Sequence, residues 1–508
     1  MLAACLVAAV ALLGPGSAAS SHQDVAPRLD EDTLDAVRRH VDRHRAALGV
    51  PGLAVGIVHG TEVVFLEGFG HTRAPGGEAI RPDTPFLIAS LSKPLTAWAV
   101  MQLVEKGAID LDDPVAAYLP ELAPNGEVVR VRDLLRHRSG LSTYIGREPI
   151  FTDTGVSLQA NVERLGPALR SDAPFEYSNA NYDTLALIVE RVSGVAFTQY
   201  MREQVFAPLE MNASFLDAAR APEAGLAQGH YHSLFGGYRS HDAPMPAGMV
   251  GSATMFASAE DLTHLLIAQL NAGSYRSARI LSPQSARLLH QPAHDEPDTD
   301  GGYALGWRVL SAFPPGPFDH EAPADLTLVV HGGTWPTYRS VMWMVPEADL
   351  GFVLLANGND LTDETLLAQV GRDVRALLFG LEPPGLSPGS SLLTRCSKHL
   401  LLALVAGQLG LAIPTLAILS RIRRRGHLRR PDWVVLACAT TLDLTVIVSA
   451  LWLARSAFAA PLVGALALPD FRVLMLALGV GLAWGAVRTA MAGAAILPQT
   501  RPTYRAAA

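Results

Sequence analysis

Cysteine is absent between His22 and Thr394; the three thiols of the chain are Cys5, Cys396 and Cys438. No disulfide can therefore form inside that stretch, and its absence fits any compartment and selects none. Lysine is almost as scarce. Lys93, Lys106 and Lys398 are the only three in 508 residues, so arginine carries nearly all the positive charge. Charged residues in total are 17% against 49% hydrophobic. That balance is too apolar for an ordinary soluble enzyme and points to membrane segments. The net charge of -8 hides an asymmetry: from Leu392 onward there are 13 basic and 3 acidic side chains, against 27 and 45 before it. An acidic globular part excludes nucleic acid as a natural partner.

What the chain does have in quantity is apolar sequence at both ends. Leu2 to Leu13 is an unbroken apolar run followed by small residues, with Ser17 and Ala19, or Gly16 and Ala18, suited to signal peptidase. Residues 1–21 are therefore expected to be a signal peptide. Leu2-Ala3-Ala4-Cys5 also resembles a lipoprotein site, but the run stays apolar after Cys5. At the other end, runs at about 399–420, 433–454 and 473–497 are each long enough to cross a hydrocarbon core. The first two flank R-I-R-R-R-G-H-L-R-R, residues 421–430, a loop basic enough to be cytoplasmic. This predicts a multi-pass protein of the cell membrane, with the globular part on the extracytoplasmic face, the lipid bilayer as a partner, and a cytoplasmic tail at 498–508. Residues 22–380 form the globular domain and 381–394, rich in Pro, Gly and Ser, a linker. Asp443 and Arg488 lie at matching depths in the second and third runs, which predicts an interhelical ion pair.

Within the globular part, Leu34, Val37 and Val41 have helical spacing after Asp30. Leu53–Phe69 reads as two strands joined at His59-Gly60. Further strand-like runs come late, at Tyr303–Leu310, Leu326–His331, Tyr338–Val345 and Leu350–Ala356, and a helix closes the domain over Thr362–Phe379. Early and late strands bracket a helical middle. One sheet built from both chain ends, with a helical region inserted, accounts for that order.

A lysine three residues after Ser90, at the head of the apolar run F-L-I-A-S-L-S-K-P-L-T-A-W-A-V, calls for a reason. Positions i and i+3 share a helix face. A serine hydroxyl is a weak nucleophile until a base takes its proton. Lysine can lose its own proton when desolvated, which arginine cannot. A helix N-terminus would add N–H groups that favour a developing oxyanion. The bland alternative is that Ser90 caps the helix and Lys93 is solvated.

Two more motifs decide between them. F-E-Y-S-N-A-N-Y supplies Tyr177-Ser178-Asn179, and L-V-V-H-G-G-T-W supplies His331-Gly332-Gly333-Thr334 at the end of an apolar strand. With these, the chain resembles the serine β-lactamase and penicillin-binding-protein superfamily, in its class C β-lactamase and DD-peptidase branch. That family carries S-x-x-K, then Y-x-N, then K-T-G or H-x-G, in this order. V-R-D-L-L-R-H-R-S-G-L-S (131–142) and P-A-G-M-V-G-S-A-T-M-F (246–256) agree with it. The resemblance covers roughly residues 22–380. It implies an α/β (α+β) fold, an antiparallel sheet flanked by helices with an inserted helical region, to which the C-terminal all-α transmembrane bundle is added.

The resemblance also implies roles. Ser90 would attack a carbonyl and become acylated. Lys93 and Tyr177 would share the base and acid work, with the tyrosine pKa lowered by neighbouring cations. Asn179 would hold Lys93 and the substrate amide. The N–H groups of Ser90 and Thr334 would form the oxyanion hole at a strand edge, and Gly332 and Gly333 would let substrate lie close to backbone. No cofactor and no metal is implied. His331 replaces the lysine of K-T-G, and near pH 7 a histidine offers a carboxylate little charge. Efficient β-lactamase action is therefore not expected, whereas acyl transfer is. The expected activity is that of a serine hydrolase working through an acyl-enzyme on D-alanyl cell-wall peptides or related amides and esters. The alternatives are a promiscuous esterase with weak β-lactamase action and a β-lactam-acylated receptor.

Some features point nowhere. G-L-S-P-G at 385–389 matches a nucleophile elbow without the strand and helix it needs. His230, His232 and His241 with Asp242 match no compact zinc pattern and read as a solvated loop. His137 reads as structural.

Overall fold

The computed structural model describes residues 26–123, 128–147, 149, 155–233, 236–292, 301–313, 326–360, 365–384, 399, 402–425, 430–455 and 468–496. The expected signal peptide and cytoplasmic tail, most of the linker and the G-L-S-P-G segment lie outside the described residues.

Helix α1 (Glu31–Leu48) starts where Asp30 caps it, the Thr33 N–H donating to the Asp30 carboxylate at 2.9 Å. It stops at Gly49, whose φ of 69° is the left-handed turn favoured past a helix end. Val37, Val41, His44 and Leu48 form its buried stripe. The chain then enters β1 (Gly52–His59), turns at Gly60, and returns as β2 (Glu62–Gly70). Five later strands complete the sheet: β3 (Gly301–Tyr303), β4 (Arg308–Ser311), β5 (Thr327–Trp335), β6 (Tyr338–Val345) and β7 (Leu350–Ala356). The order is β2-β1-β7-β6-β5-β4-β3, and every pairing is antiparallel. The single strand expected over Tyr303–Leu310 is thus two, separated by Gly306 at φ 89°, a backbone state that glycine alone adopts freely.

The period of two in each strand divides the core into two layers. Leu53, Val55 and Ile57 of β1 join Phe352 and Leu354 of β7 beneath α1 and α5 (Thr365–Leu378). Ala54 and Val58 join Val353 and Leu355 on the other face. That face is covered by α2 (Ser92–Glu105), α3 (Asn179–Ser193) and α4 (Ala259–Leu270), the helical middle of the chain. His230 and His232 are not in a solvated loop: they lie on a short strand, and His230 is fully buried against the Asn357 carbonyl oxygen at 2.9 Å.

The expected C-terminal transmembrane bundle is not seen. Among the described residues, this region holds a helical stretch at 402–410 and the helices α6 (Ala412–Arg425), α7 (Arg430–Arg455) and α8 (Pro469–Ile496). Among the described residues no helix is long and apolar enough to cross a membrane. Of the arginines expected in a loop, Arg421, Arg423, Arg424 and Arg425 end α6 and Arg430 opens α7, and α7 and α8 also carry Asp432, Asp443, Asp470, Arg472 and Arg488. Asp443 and Arg488 do form an ion pair, with Arg488 Nε donating to Asp443 Oδ2 at 2.9 Å. Gln408 also contacts this carboxylate. Because removing one partner strands a buried charge, Asp443→Ala should destabilise the helices by about 3 kcal/mol. Adding Arg488→Ala should recover part of that loss in urea unfolding. Costs that simply add would show that the pair contributes nothing.

Candidate active site

Ser90 does not open α2. It lies in the 3-10 turn Ala89–Leu91 just before it. Ala89 has φ 49°, the left-handed region that a side chain rarely enters. The surroundings hold this turn in place. Ser92 Oγ donates to the Ala89 carbonyl at 2.7 Å, and Ser340 Oγ of β6 donates to the Ile88 carbonyl at 2.8 Å.

Because α2 is buried from Ser92 to Leu103, Lys93 is fully enclosed. Its Nζ lies 3.1 Å from Ser90 Oγ, 2.8 Å from Asn179 Oδ1 and 3.0 Å from the Ser252 carbonyl oxygen. Desolvation lowers its pKa to about 7, against the opposing charge of Asp183 and helped by Arg147. A neutral amine keeps two N–H donors and one lone pair. Asn179 and Ser252 can take the two donors, which leaves the lone pair for the Ser90 hydroxyl.

Tyr177 comes to the same point. Its phenol is hydrogen-bonded with Ser90, and Lys93 Nζ lies 4.7 Å from its ring centre. The expected fall in its pKa is reversed. Burial pushes it up to about 12, outweighing the hydrogen bond and the charges of Arg147 and Arg308. Tyr177 is therefore a neutral phenol near pH 7, suited to donating or relaying a proton rather than to holding an anion.

His331, Gly332, Gly333 and Thr334 lie on β5. This strand is interior in the sheet, but β4 pairs only with Thr327–Val330. From His331 onward, among the described residues, β5 pairs with β6 alone, which gives the local edge that the motif implied. The His331 ring is buried, with Nδ1 2.9 Å from the Gly332 carbonyl oxygen and Nε2 3.1 Å from the Tyr303 hydroxyl. One nitrogen donates and the other accepts, so the ring is neutral. Burial first, then Lys93, lowers its pKa to about 3. Thr334 keeps its hydroxyl against Arg339. The two glycines differ. A Cβ on Gly332 would meet nothing closer than 3.8 Å, whereas one on Gly333 would collide with the Ile88 carbonyl oxygen and Ser340 Oγ. Gly333 is thus required by the turn that carries Ser90. Gly333→Ala is expected to push that turn away, costing about 3 kcal/mol in urea unfolding and most of the activity. A fully stable, fully active variant would refute this reading.

Ser90, Lys93, Tyr177 and Asn179 therefore meet at the Ser90 turn, and β5 runs past it with Gly333 against the turn, His331 on the same face, and Gly332 and Thr334 on the strand's other face. Three neighbours went unpredicted. His137, at φ 58°, accepts from the Ser178 N–H at 3.2 Å and packs its ring 4.4 Å from that of Tyr177, so it supports the tyrosine. Tyr303 reaches His331. Asp183, one turn beyond Asn179 on α3, is buried, and burial raises its pKa to about 8. For His137 and Asp183 the only sequence signal was proximity to H-R-S-G and Y-S-N; Tyr303 had none.

The profile of the beta-lactamase family matches residues 37–376. The chain belongs to the beta-lactamase family. Among curated relatives it is similar to Protein flp of Staphylococcus aureus strain MW2, 29% identical over 349 residues, covering 65% of this chain. The chain spans 64% of the length of that relative. Among solved structures it is similar to the octameric penicillin-binding protein homologue from Pyrococcus abyssi, with a TM-score of 0.59 at 24% identity over 73% of this chain and 81% of the other. It is also similar to the D-amino acid amidase of Ochrobactrum anthropi SV3, with a TM-score of 0.57 at 24% identity over 68% of this chain and 97% of the other. At that identity both likenesses concern the fold. They agree with the antiparallel sheet and flanking helices of residues 31–378.

Proposed function

We propose that this protein is a serine hydrolase that works through an acyl-enzyme on Ser90. The observation that carries the reading is the enclosed Lys93 amine, 3.1 Å from Ser90 Oγ and with its pKa lowered to about 7. Neutral Lys93 takes the hydroxyl proton as Ser90 Oγ bonds to the substrate carbonyl carbon. The C–N or C–O bond then breaks, and the leaving group receives a proton through Tyr177. Water attacks the resulting ester, releasing the acid and restoring Ser90. The N–H groups of Ser90 and Thr334 stabilise the oxyanion. Asn179 orients Lys93 and the substrate amide.

The substrates we propose are D-alanyl peptides of the cell wall or related amides and esters. The names of the penicillin-binding protein homologue and the D-amino acid amidase support this class. The neutral ring of His331 offers no charge to a substrate carboxylate. Positive charge near the site comes from Arg147 and Arg308, which act electrostatically on the Tyr177 phenol. The test is to incubate the full chain with a fluorescent penicillin, a D-alanyl-D-alanine peptide, a D-amino acid amide and an aryl ester. Mass spectrometry then reads the Ser90 peptide, and product release reads turnover. An adduct on Ser90 with turnover of the peptide or amide is the expected result. Labelling without turnover of any substrate points to a receptor, and no adduct with any of the four refutes the proposal.

A further inference from the structure

On the opposite face of the sheet, α1 and α5 lie side by side and bring together His40, His44 and Asp373. Among the described residues this is the one group of three such side chains whose ligand atoms all lie within 4.8 Å of each other. His40 Nε2 is 3.3 Å, and His44 Nε2 4.0 Å, from the same oxygen, Asp373 Oδ2. The Asp373 side chain is fully buried, and those of His40 and His44 are 10% and 9% exposed.

Hydrogen bonding does not explain the cluster. Both Asp373 oxygens and His40 Nε2 are buried without a hydrogen bond, even at 3.3 Å from one another. A buried carboxylate left in that state is costly. Arg372 Nε approaches from the other side, 3.6 Å from Oδ1, and leaves Oδ2 facing the imidazoles. His44 Nδ1 lies 2.8 Å from the His40 carbonyl oxygen, so it carries the proton and Nε2 keeps its lone pair for the cluster. An outer hydrogen bond of this kind orients metal-binding histidines. The spacing of four residues puts both rings on one face of α1, with ring centres 3.9 Å apart. Ligands of one tetrahedral zinc, at about 2.0 to 2.1 Å from the metal, lie roughly 3.3 Å from each other. Small side-chain adjustments bring these three atoms to that arrangement.

We propose that His40, His44 and Asp373 bind one divalent transition-metal ion, Zn2+ before Mg2+ or Ca2+, and so clamp α1 to α5. Two imidazole nitrogens and one carboxylate oxygen suit zinc and leave a fourth position for water. The sheet separates this site from Ser90, so metal binding and hydrolysis are independent readouts.

The test uses the chelator-treated full chain with ZnCl2 or CoCl2. Equilibrium dialysis should find one ion per chain that 100-fold more Mg2+ does not displace. Cobalt should give visible bands of a four-coordinate site. At zinc about 100-fold above Kd, Tm should rise by roughly 4 °C. His44→Gln and Asp373→Asn should each weaken zinc binding at least 100-fold. His40→Gln keeps a polar side chain in the same place; with its Tm read alongside to confirm the fold, it should weaken binding at least tenfold and change the cobalt spectrum. Uptake unchanged in His40→Gln, or no uptake by the untouched chain, would overturn the proposal.

Discussion

Ser90→Ala is expected to lower hydrolysis by roughly 10^4-fold or more and to abolish every covalent adduct. The size follows from what remains. Asn179, the β5 edge and the N–H groups of the turn would still bind and polarise substrate, but no acyl group could be carried. The fold should survive, because the Ser90 hydroxyl is not among the bonds that hold its turn; those come from Ser92 and Ser340. Equal Tm in both proteins, read with the activity, separates lost chemistry from lost structure. Adduct formation by the alanine variant would move the nucleophile elsewhere.

Lys93→Met should cost roughly 10^3-fold in kcat/KM, within the range for losing a positioned general base. Methionine fills much of the same enclosed space without a charge, so the fold is spared the burial of a permanent cation. The pH profile carries the sharper test. A base works when deprotonated, and burial lowers the Lys93 pKa to about 7. Activity should therefore rise about tenfold per pH unit below that value and level off above it. Neither His331, at about 3, nor Tyr177, at about 12, adds a break between pH 5 and 9. A profile that falls as pH rises from 6 to 8 would contradict neutral Lys93 as the base.

The reactive groups were legible because each sits in a short motif on a local element. Ser90 and Lys93 needed only one turn of chain to meet. The sheet built from both chain ends was legible from the order of apolar runs. What escaped depends on enclosure. The charges around Tyr177 are visible in sequence, but the burial that overrides them is not. Asp183 and His137 act through packing between α3 and segments far from it in sequence. The Asp443–Arg488 pair was legible from the matching depths of the two residues in their apolar runs. His40, His44 and Asp373 drew no notice because 329 positions separate His44 from its acidic neighbour.

The pairing of β1 with β7, in which Leu53 faces Ala356, has a consequence for biosynthesis. The first strand leaves the ribosome roughly 300 residues before its neighbour, which at about 5 to 20 residues per second is a wait of about 15 to 60 seconds. Throughout that interval β1 and β2 form only a hairpin, apolar on both faces of β1 and open along one side. Nascent chains of this protein must therefore be shielded from one another, and crowded expression should yield aggregates seeded by residues 52–70.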